Sequence, residues 1–304
     1  PPEVLMYITI LANQSTMPPL KSLDAFLAAH RIQVLSKEVL PVPRTLADRR
    51  CAEGWVLDAI DQDSLACAFS TVGLDDGVDV NAQLPSERLA DIKLAVFDMD
   101  STLIECEVID ELARRAGIGA AVSHITERAM CGELDFNQSF TERLSLLKDL
   151  DSAVINDIAA DLPFSEGGKE LMLTLKARGI KTVILSGGFR VFAERVAAEL
   201  GMDDVYANTL DVEAGALTGR VVAPIVNAEF KATTLKALAR TMGIGLNQTL
   251  AVGDGANDLK MLSAAGIGIA FRAKPLVRAQ ARYQLSHVGL DGALYLIGSK
   301  GPKP

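Results

Sequence analysis

The segment KLAVFDMDST, residues 93–102, is the most informative part of this chain. Its four apolar residues, Leu94–Phe97, are followed at once by two aspartates, Asp98 and Asp100. A short apolar run without a polar face predicts a strand buried on both sides, as in a parallel sheet covered by helices. Ligands of open parallel sheets bind beyond the carboxyl ends of the strands, so the two aspartates are candidate site residues.

Three more apolar runs of this kind alternate with helical patterns along the chain; they are Thr182–Leu185, Leu250–Val252 and Ile267–Phe271. This alternation predicts an α/β domain with a parallel sheet over residues 91–298. Residues 110–163 are too long for an ordinary strand-to-helix connection, and their apolar spacing predicts a separate helical layer. Residues 206–226 are predicted to form a β-hairpin that turns near Glu213–Gly215.

Residues 1–85 form a second predicted domain of the α+β class. Strands are predicted at Val4–Leu11, Gln33–Val42, Trp55–Ile60 and Val78–Leu84, and helices at Leu20–Ala29 and Asp63–Val72. The resulting β-α-β-β-α-β order is that of the ferredoxin-like fold. The polar stretch Pro85–Asp91 is interpreted as a linker.

Composition narrows the range of functions. The chain has 304 residues, enough for about two domains, and its 30 basic and 39 acidic residues give a net charge of −9. An acidic chain argues against nucleic-acid binding, and its apolar runs are too short to span a membrane. The opening Pro1-Pro2-Glu3 lacks the features of a signal peptide, and four cysteines without a Cys-x-x-Cys pair are interpreted as reduced and mostly buried. A cytoplasmic location is expected.

The residues that end the predicted strands share a chemistry suited to phosphate. Ser186 and Gly187 can donate an O–H and an N–H to phosphate oxygens at a helix N-terminus. Lys231 adds a positive charge. Asp98 and Asp254 would repel one another unless a hard, oxygen-preferring cation such as Mg²⁺ lay between them. Mn²⁺ and Co²⁺ stay open as alternatives.

The spacing of the first two aspartates suits a two-step displacement. A carboxylate can attack phosphorus and become an aspartyl-phosphate. A second carboxylate two positions further along extended backbone lies on the same face, so it can protonate the leaving alkoxide and later deprotonate water.

At these residues the chain resembles the haloacid dehalogenase (HAD) superfamily. The resemblance rests on Asp98-Met99-Asp100-Ser101-Thr102, Ser186, Lys231 and the segment from Gly253 to Asp258. It implies a Rossmann-like core with a helical cap inserted after the first strand. It also implies that Asp98 is the nucleophile and Asp100 the general acid/base. Mg²⁺ would be bound by the Asp98 side chain, the Asp100 carbonyl and Asp254, with Asp258 supporting the metal.

The predicted cap resembles that of the phosphoserine phosphatases in this superfamily. The similar phrases are Ile104–Glu107, Ala129–Phe136 and Asn137–Lys148. The resemblance implies that Glu107 pairs with the substrate ammonium and Arg143 with its carboxylate. Met130 and Phe136 would line the pocket and exclude water, and Asn257 would lie near the phosphate or the serine. The implied reaction is hydrolysis of O-phosphoserine, the last step of serine biosynthesis.

Residues 1–85 resemble the ACT-like modules that precede some of these enzymes, by length, position and strand order. This resemblance implies amino-acid binding, with serine as one candidate effector, or homodimer formation; a purely structural role stays open. Two other functions also stay open for the whole chain. One is action on another small phosphomonoester, as a phosphatase or phosphotransferase, and the other is amino-acid sensing with an inactive phosphatase half.

Overall fold

The computed structural model describes residues 5–58 and 63–298 of the chain. The N-terminal elements are β1 (Leu5–Ala12), α1 (Lys21–Ala29), β2 (Gln33–Val39), β3 (Cys51–Asp58), α2 (Asp63–Asp75) and β4 (Asp79–Gln83). The predicted β-α-β-β-α-β order is confirmed, although the third strand begins earlier than expected and the second ends earlier. Three predicted strand residues, Val4 and Ala59–Ile60, lie outside the described residues.

The N-terminal strands form an antiparallel sheet in the order β2-β3-β1-β4. Central strand β1 is buried on both faces. Met6, Ile8 and Ile10 pack with the two N-terminal helices, whereas Leu11 on the other face belongs to the core of the larger domain. Side chains alternate between the faces of a strand, so one strand serves two hydrophobic cores.

The larger domain contains a six-stranded parallel sheet, whose strands are β5 (Leu94–Phe97), β6 (Lys181–Phe189), β7 (Asp204–Asn208), β10 (Thr249–Gly253), β11 (Ile267–Phe271) and β12 (Tyr283–Leu285). Their order across the sheet is β12-β11-β10-β5-β6-β7. The four predicted apolar strands are its four central members. Strand β5 is fully buried and flanked by β10 and β6, which brings their carboxyl ends to one edge.

Four helices fill the predicted insert between β5 and β6; they are α4 (Val108–Arg115), α5 (Gly119–Met130), α6 (Phe136–Ser145) and α7 (Ala153–Ala160). Helix α6 begins at a capping box, in which Asp135 accepts the Gln138 N–H at 2.8 Å and Gln138 accepts the Asp135 N–H at 2.9 Å. The cap therefore consists of short helices over the carboxyl edge of the sheet.

The remaining helices cover both faces of the sheet or join it to the N-terminal part; they are α3 (Pro85–Arg88), α8 (Gly168–Ala177), α9 (Arg190–Leu200), α10 (Ala228–Thr241), α11 (Leu259–Ala264) and α12 (Pro275–Gln280). Ala95 and Phe97 belong to the core on the side of α8 and α9, and Leu94 and Val96 to the core on the side of α10 to α12. Covering helices on both faces explain why these strands are apolar throughout.

The predicted hairpin is partly wrong. Two short strands, β8 (Val212–Glu213) and β9 (Ala216–Leu217), do pair antiparallel around the expected turn. Ala214 and Gly215 both have positive φ, as a two-residue hairpin turn requires. Tyr206, however, belongs to β7, which pairs in parallel with β6. A half-buried edge strand carries polar residues, so its sequence does not show the continuous apolar run that predicts a buried parallel strand.

The predicted linker is a short helix held against both parts of the molecule. Glu87 of α3 pairs with Arg282 at 2.8 Å. The guanidinium of Arg88 lies 3.4 Å from the ring centroid of Tyr7. Edge strand β4 is also bound to the larger domain, because Asp79 accepts backbone N–H groups from residues 286–288. The two sheets are therefore joined by specific polar contacts.

Two further points concern the cysteines and the membrane. The expectation of mostly buried cysteines is wrong, since Cys67 and Cys131 are exposed and Cys51 and Cys106 are partly buried; all four are free thiols. Among the helices within residues 5–58 and 63–298, none has both the length and the apolar content to cross a bilayer.

Candidate active site

Three aspartates converge at the carboxyl edge of the sheet. Asp98 directly follows β5 and Asp254 follows β10, the neighbouring strand. Asp258 lies one turn further on. Each contributes a carboxylate oxygen to a group whose members lie within 4.8 Å of one another, and all three residues are buried.

Lys231 is the cation that faces this group. Asn227 caps the N-terminus of α10, its side chain accepting the Phe230 N–H at 3.0 Å, and Lys231 lies in the first turn of this helix. Its Nζ lies 3.0 Å from Asp98 Oδ1 and 2.7 Å from Asp258 Oδ1. Burial alone would lower the pKa of Lys231, but the charges of Asp258 and Asp98 raise it instead, so the ammonium stays charged.

Asp258 is held by hydrogen bonds on both carboxylate oxygens. One oxygen contacts Lys231, and the other accepts the N–H groups of Asp254 and Gly255 at 3.1 and 3.0 Å. With its oxygens engaged in this way, Asp258 orients the loop that carries Asp254.

The carboxylates carry more negative charge than one lysine neutralises. Burial, and then the charge of Asp258, raises the pKa of Asp98 well above its usual value. The same two causes raise the pKa of Asp254 to about 7. Carboxylate oxygens are the ligands that Mg²⁺ prefers, and a divalent cation would relieve this repulsion. The residues present therefore fit a Mg²⁺ site formed by Asp98 and Asp254.

We expect stabilisation by Mg²⁺ to grow with pH. A pKa of Asp254 raised from 3.8 to about 7 means that the metal-free protein loses stability as pH rises through this range. Magnesium at about 100 times its Kd should add about 2.7 kcal/mol at pH near 8 and much less near pH 5. Thermal unfolding with MgCl₂ against NaCl of equal ionic strength checks this. An equal shift at both pH values would contradict it.

Asp100 is placed differently from Asp98. Its Oδ1 accepts the Val108 N–H, at the start of α4, at 3.0 Å. Any side chain at Gly188 would collide with its carboxylate, so a glycine is needed there. Burial, followed by the charge of Glu107, raises the pKa of Asp100 well above its usual value. A raised pKa lets the carboxyl group keep its proton to higher pH than an ordinary aspartate, which favours the role of a general acid.

The carboxyl-terminal end of β6 carries the predicted phosphate donors. Ser186 is fully buried and its Oγ accepts the Gly188 N–H at 2.9 Å, which leaves the hydroxyl hydrogen free to be donated elsewhere. Gly187 lines the cavity described next, and Asn208 holds its carbonyl at 2.8 Å. Helix α9 begins at Arg190, directly after β6, so its positive end points toward the same region.

A cavity of about 630 Å³ lies between the cap and the carboxyl edge of the sheet. Its lining includes Asp98, Asp100 and Asp254 on the floor. Six of the eight residues predicted for substrate binding also line it, and these are Glu107, Met130, Phe136, Arg143, Gly187 and Asn257. Ser186 and Lys231 lie behind this lining.

Glu107 and Arg143 are the charged predicted residues on the cap side. Glu107 Oε1 accepts the Ser101 hydroxyl at 2.6 Å. Arg143 donates from Nε to the Ser139 carbonyl at 3.3 Å. Burial lowers the pKa of Arg143, and the charge of Asp110 opposes this. Both residues line the cavity.

The expectation for Met130 is wrong in one respect. Its side chain lines the cavity but is 71% exposed, so in this geometry it does not exclude water. Met130 is the last residue of α5. Phe136 is partly buried and stacks on Phe140 at 6.3 Å between ring centroids.

Sequence reasoning assigned no role to four residues that the structure places at the site. Thr102 donates to Asp254 Oδ1 at 3.1 Å and so orients it. Ser101 orients Glu107, and Asp110 and Lys274 line the cavity. Thr102 could have been found as the last residue of the Asp-x-Asp-x-Thr motif. Lys274 follows an apolar strand after a two-residue gap, which gives no comparable signal.

Comparison with known proteins agrees with this geometry. The family model for haloacid dehalogenase-like hydrolases matches residues 95–263. A phosphoserine phosphatase of Streptococcus thermophilus is 48% identical over 208 residues, covering 68% of this chain and 97% of that protein. A phosphoserine phosphatase of Mycobacterium tuberculosis is 45% identical over 234 residues, covering 77% of this chain and 57% of that protein. The crystal structure of a probable phosphoserine phosphatase from Vibrio cholerae superimposes with a TM-score of 0.77 at 35% identity, over 96% of this chain and 86% of that one.

The chain therefore belongs to the haloacid dehalogenase-like hydrolases, an enzyme family, and its fold is similar to that of the Vibrio cholerae structure. Within that family, the relatives just named are phosphoserine phosphatases. The chain spans little more than half the length of the Mycobacterium tuberculosis relative and nearly all of the Streptococcus thermophilus one.

Proposed function

We propose that this chain is a Mg²⁺-dependent phosphatase that hydrolyses O-phosphoserine to serine and phosphate. One observation carries the proposal: two buried aspartates two residues apart lie on the floor of a cavity whose cap side presents a glutamate and an arginine. The floor suits a phosphate ester, and the cap suits an amino-acid head group. The names of the relatives support the same substrate.

In the first step Asp98 attacks phosphorus while the ester oxygen leaves. The bond between phosphorus and the serine oxygen breaks, and Asp100 gives its proton to that oxygen. Asp98 then carries an acyl phosphate. Water, deprotonated by Asp100, attacks this phosphorus, releases phosphate and restores both carboxyl groups. The raised pKa of Asp100 supports its part as the acid.

Bound Mg²⁺ would neutralise part of the negative charge of the substrate phosphate, which has to approach the buried, acidic floor of the cavity. Lys231, at 3.0 Å from Asp98, adds a fixed positive charge beside the nucleophile. Ser186 and the N–H of Gly187 are proposed to donate to phosphate oxygens. Asn257, which lines the cavity beside them, is proposed to contact the phosphate or the serine.

The cap residues are proposed to recognise the serine part of the substrate. Arg143 presents a planar pair of donors that suits a carboxylate. Glu107, oriented by Ser101, suits an ammonium. Both line the cavity formed by the floor residues, so one small molecule can contact both ends.

Replacement of Arg143 tests the substrate. Arg143→Ala should raise KM for O-phosphoserine about 100-fold, because the substrate carboxylate loses a charged hydrogen-bond partner worth about 1.5–3 kcal/mol. Arg143→Lys should recover part of this loss. The change in KM is measured from phosphate release over a panel of small phosphomonoesters, with MgCl₂ or EDTA. Arg128→Ala is the control, since Arg128 pairs with Glu133 and Glu142 on the cap surface.

An unchanged KM for O-phosphoserine in Arg143→Ala, together with faster turnover of an unrelated ester, would refute the amino-acid substrate. It would favour a sugar phosphate or another small ester on the same floor.

For residues 1–85 we propose an ACT-like role in amino-acid binding or homodimer formation. Calorimetry of the full chain with serine tests amino-acid binding, and light scattering tests homodimer formation.

A further inference from the structure

Arg50, directly before β3, makes a fully buried charged contact between the N-terminal part and the larger domain. Its side chain is inaccessible to solvent. Its Nε and Nη2 each lie 2.9 Å from one oxygen of Asp291, which is also inaccessible. A buried bidentate pair of this kind holds its partners in one geometry. Nη2 also lies 3.5 Å from Glu166 of the larger domain.

Glu166 lies at the end of the segment by which the chain leaves the cap. We define the hinge as residues 103–105 and 163–166, which enter and leave the cap helices. Its two segments are hydrogen-bonded to one another: Glu105 N–H donates to the Pro163 carbonyl at 2.8 Å, and Ser165 N–H donates to the Leu103 carbonyl at 2.9 Å. The cap helices therefore connect to the core through a narrow two-stranded ribbon.

Charged side chains join Arg50 to both segments of this hinge. Glu166 contacts Arg50 through Oε1, and its Oε2 accepts from Arg272 Nη2 at 3.0 Å. Arg272 Nη1 lies 3.6 Å from Glu105 Oε1, on the entering segment. The order of contacts is Arg50, Glu166, Arg272, Glu105.

Backbone contacts strengthen the same connection. The Glu166 carbonyl accepts the Leu290 N–H at 2.8 Å, next to Asp291. Gly167, with φ of +76°, packs so closely on Asp291 that a side chain there would collide with it. Arg272 has φ of +42°, which is strained for a residue with a side chain, and a single residue separates it from the cavity-lining Lys274.

We propose that Glu166 and Arg272 are positioning residues, through which Arg50 of the N-terminal part holds the cap hinge in place. None of the three lines the cavity. They act on the substrate only through the cap that bears Glu107 and Arg143. The kinetic part of this proposal rests on the proposed function, and the part concerning the hinge does not.

The test uses Glu166→Gln, which keeps the shape of the side chain but removes the charge that faces Arg50 and Arg272 and the more exposed Arg49. Arg50→Gln is avoided, because it would leave Asp291 buried without a partner. In hydrogen exchange of the full chain, the Glu105 and Ser165 amides should exchange about tenfold faster than in the parent. Amides of β10 and β11 should be unaffected. Glu199→Gln, in an exposed ion pair with Lys169, is the matched control.

Kinetics with the accepted phosphomonoester give the second measurement. Glu166→Gln should raise KM about fivefold while kcat stays within about twofold, since the cap is loosened and the floor is untouched. Glu105→Gln should do the same, and the double variant should be no worse than either single one, because both act through Arg272.

Unchanged exchange at the hinge in Glu166→Gln would overturn the proposal, whatever the substrate proves to be. Faster exchange throughout the chain would overturn it too, because it would show a general loss of stability. If O-phosphoserine is not hydrolysed at all, the proposed function fails but the exchange result still decides the role of the hinge.

Discussion

Asp98→Asn should abolish turnover, with phosphate release at least about 10⁴-fold slower than in the parent. An amide cannot form an acyl phosphate, whereas the surrounding geometry is retained. The amide oxygen of the variant can still accept from Lys231 and from the Met99 N–H, which lie at 3.0 and 2.8 Å in the parent. Rapid-quench experiments with ³²P-labelled substrate should find labelled protein in the parent and none in this variant.

A measurement of stability distinguishes loss of the nucleophile from unfolding of the variant. Burial and the charge of Asp258 raise the pKa of Asp98, so the ionised form is disfavoured in the metal-free fold. A neutral residue removes that cost, and in EDTA at alkaline pH the variant should unfold at no lower temperature than the parent. Asp157→Asn, an exposed change of the same kind on α7, controls for the loss of one charge. Substantial residual turnover in Asp98→Asn would exclude Asp98 as the nucleophile.

Lys231→Met should have the second large effect, on both stability and activity. The methionine fills a similar volume but leaves Asp98 and Asp258 without their buried cation. Breaking a buried ion pair by removing one partner costs about 3–5 kcal/mol. Turnover should also fall at least about 100-fold, because the charge beside the nucleophile is lost.

The pH dependence of this loss identifies its cause. Lys231 lowers the pKa of Asp98, so without it the aspartates bind protons more readily in the folded state. The destabilisation should therefore be smallest in acid and grow as pH rises. Urea unfolding at several pH values in EDTA measures it. Lys236→Met, an exposed change on the same helix, should alter neither stability nor activity. A pH-independent loss in Lys231→Met would point to packing instead of charge.

The apolar runs in the sequence, and the residues that follow them, predict the central strands of the sheet and the aspartates on the cavity floor. Buried parallel strands are apolar along their whole length, so β5, β6, β10 and β11 stand out from the helices between them. Because parallel strands end at one edge, residues directly after them must lie close together. Asp98 and Asp254, 156 positions apart, were predicted together for this reason.

The sequence pattern does not predict the two edge strands of the parallel sheet or the orientation of individual side chains. The sequence pattern predicts β7 as part of a hairpin and gives no signal for β12, since neither carries the long apolar run of a central strand. The exposure of Met130 was also missed. A helix-end side chain can point into a pocket or beyond it, and the spacing of apolar residues is the same in both cases.

The four central strands, their parallel arrangement and the acidic floor could all be predicted from the chain alone, because they follow from periodicity and from the residues that end each strand. Only the packed molecule shows that Thr102 orients Asp254, that Lys231 lies between Asp98 and Asp258, and that Arg50 joins the N-terminal part to Asp291. These contacts link residues 27 to 241 positions apart. No local pattern encodes them, because their partners meet only when separate elements pack together.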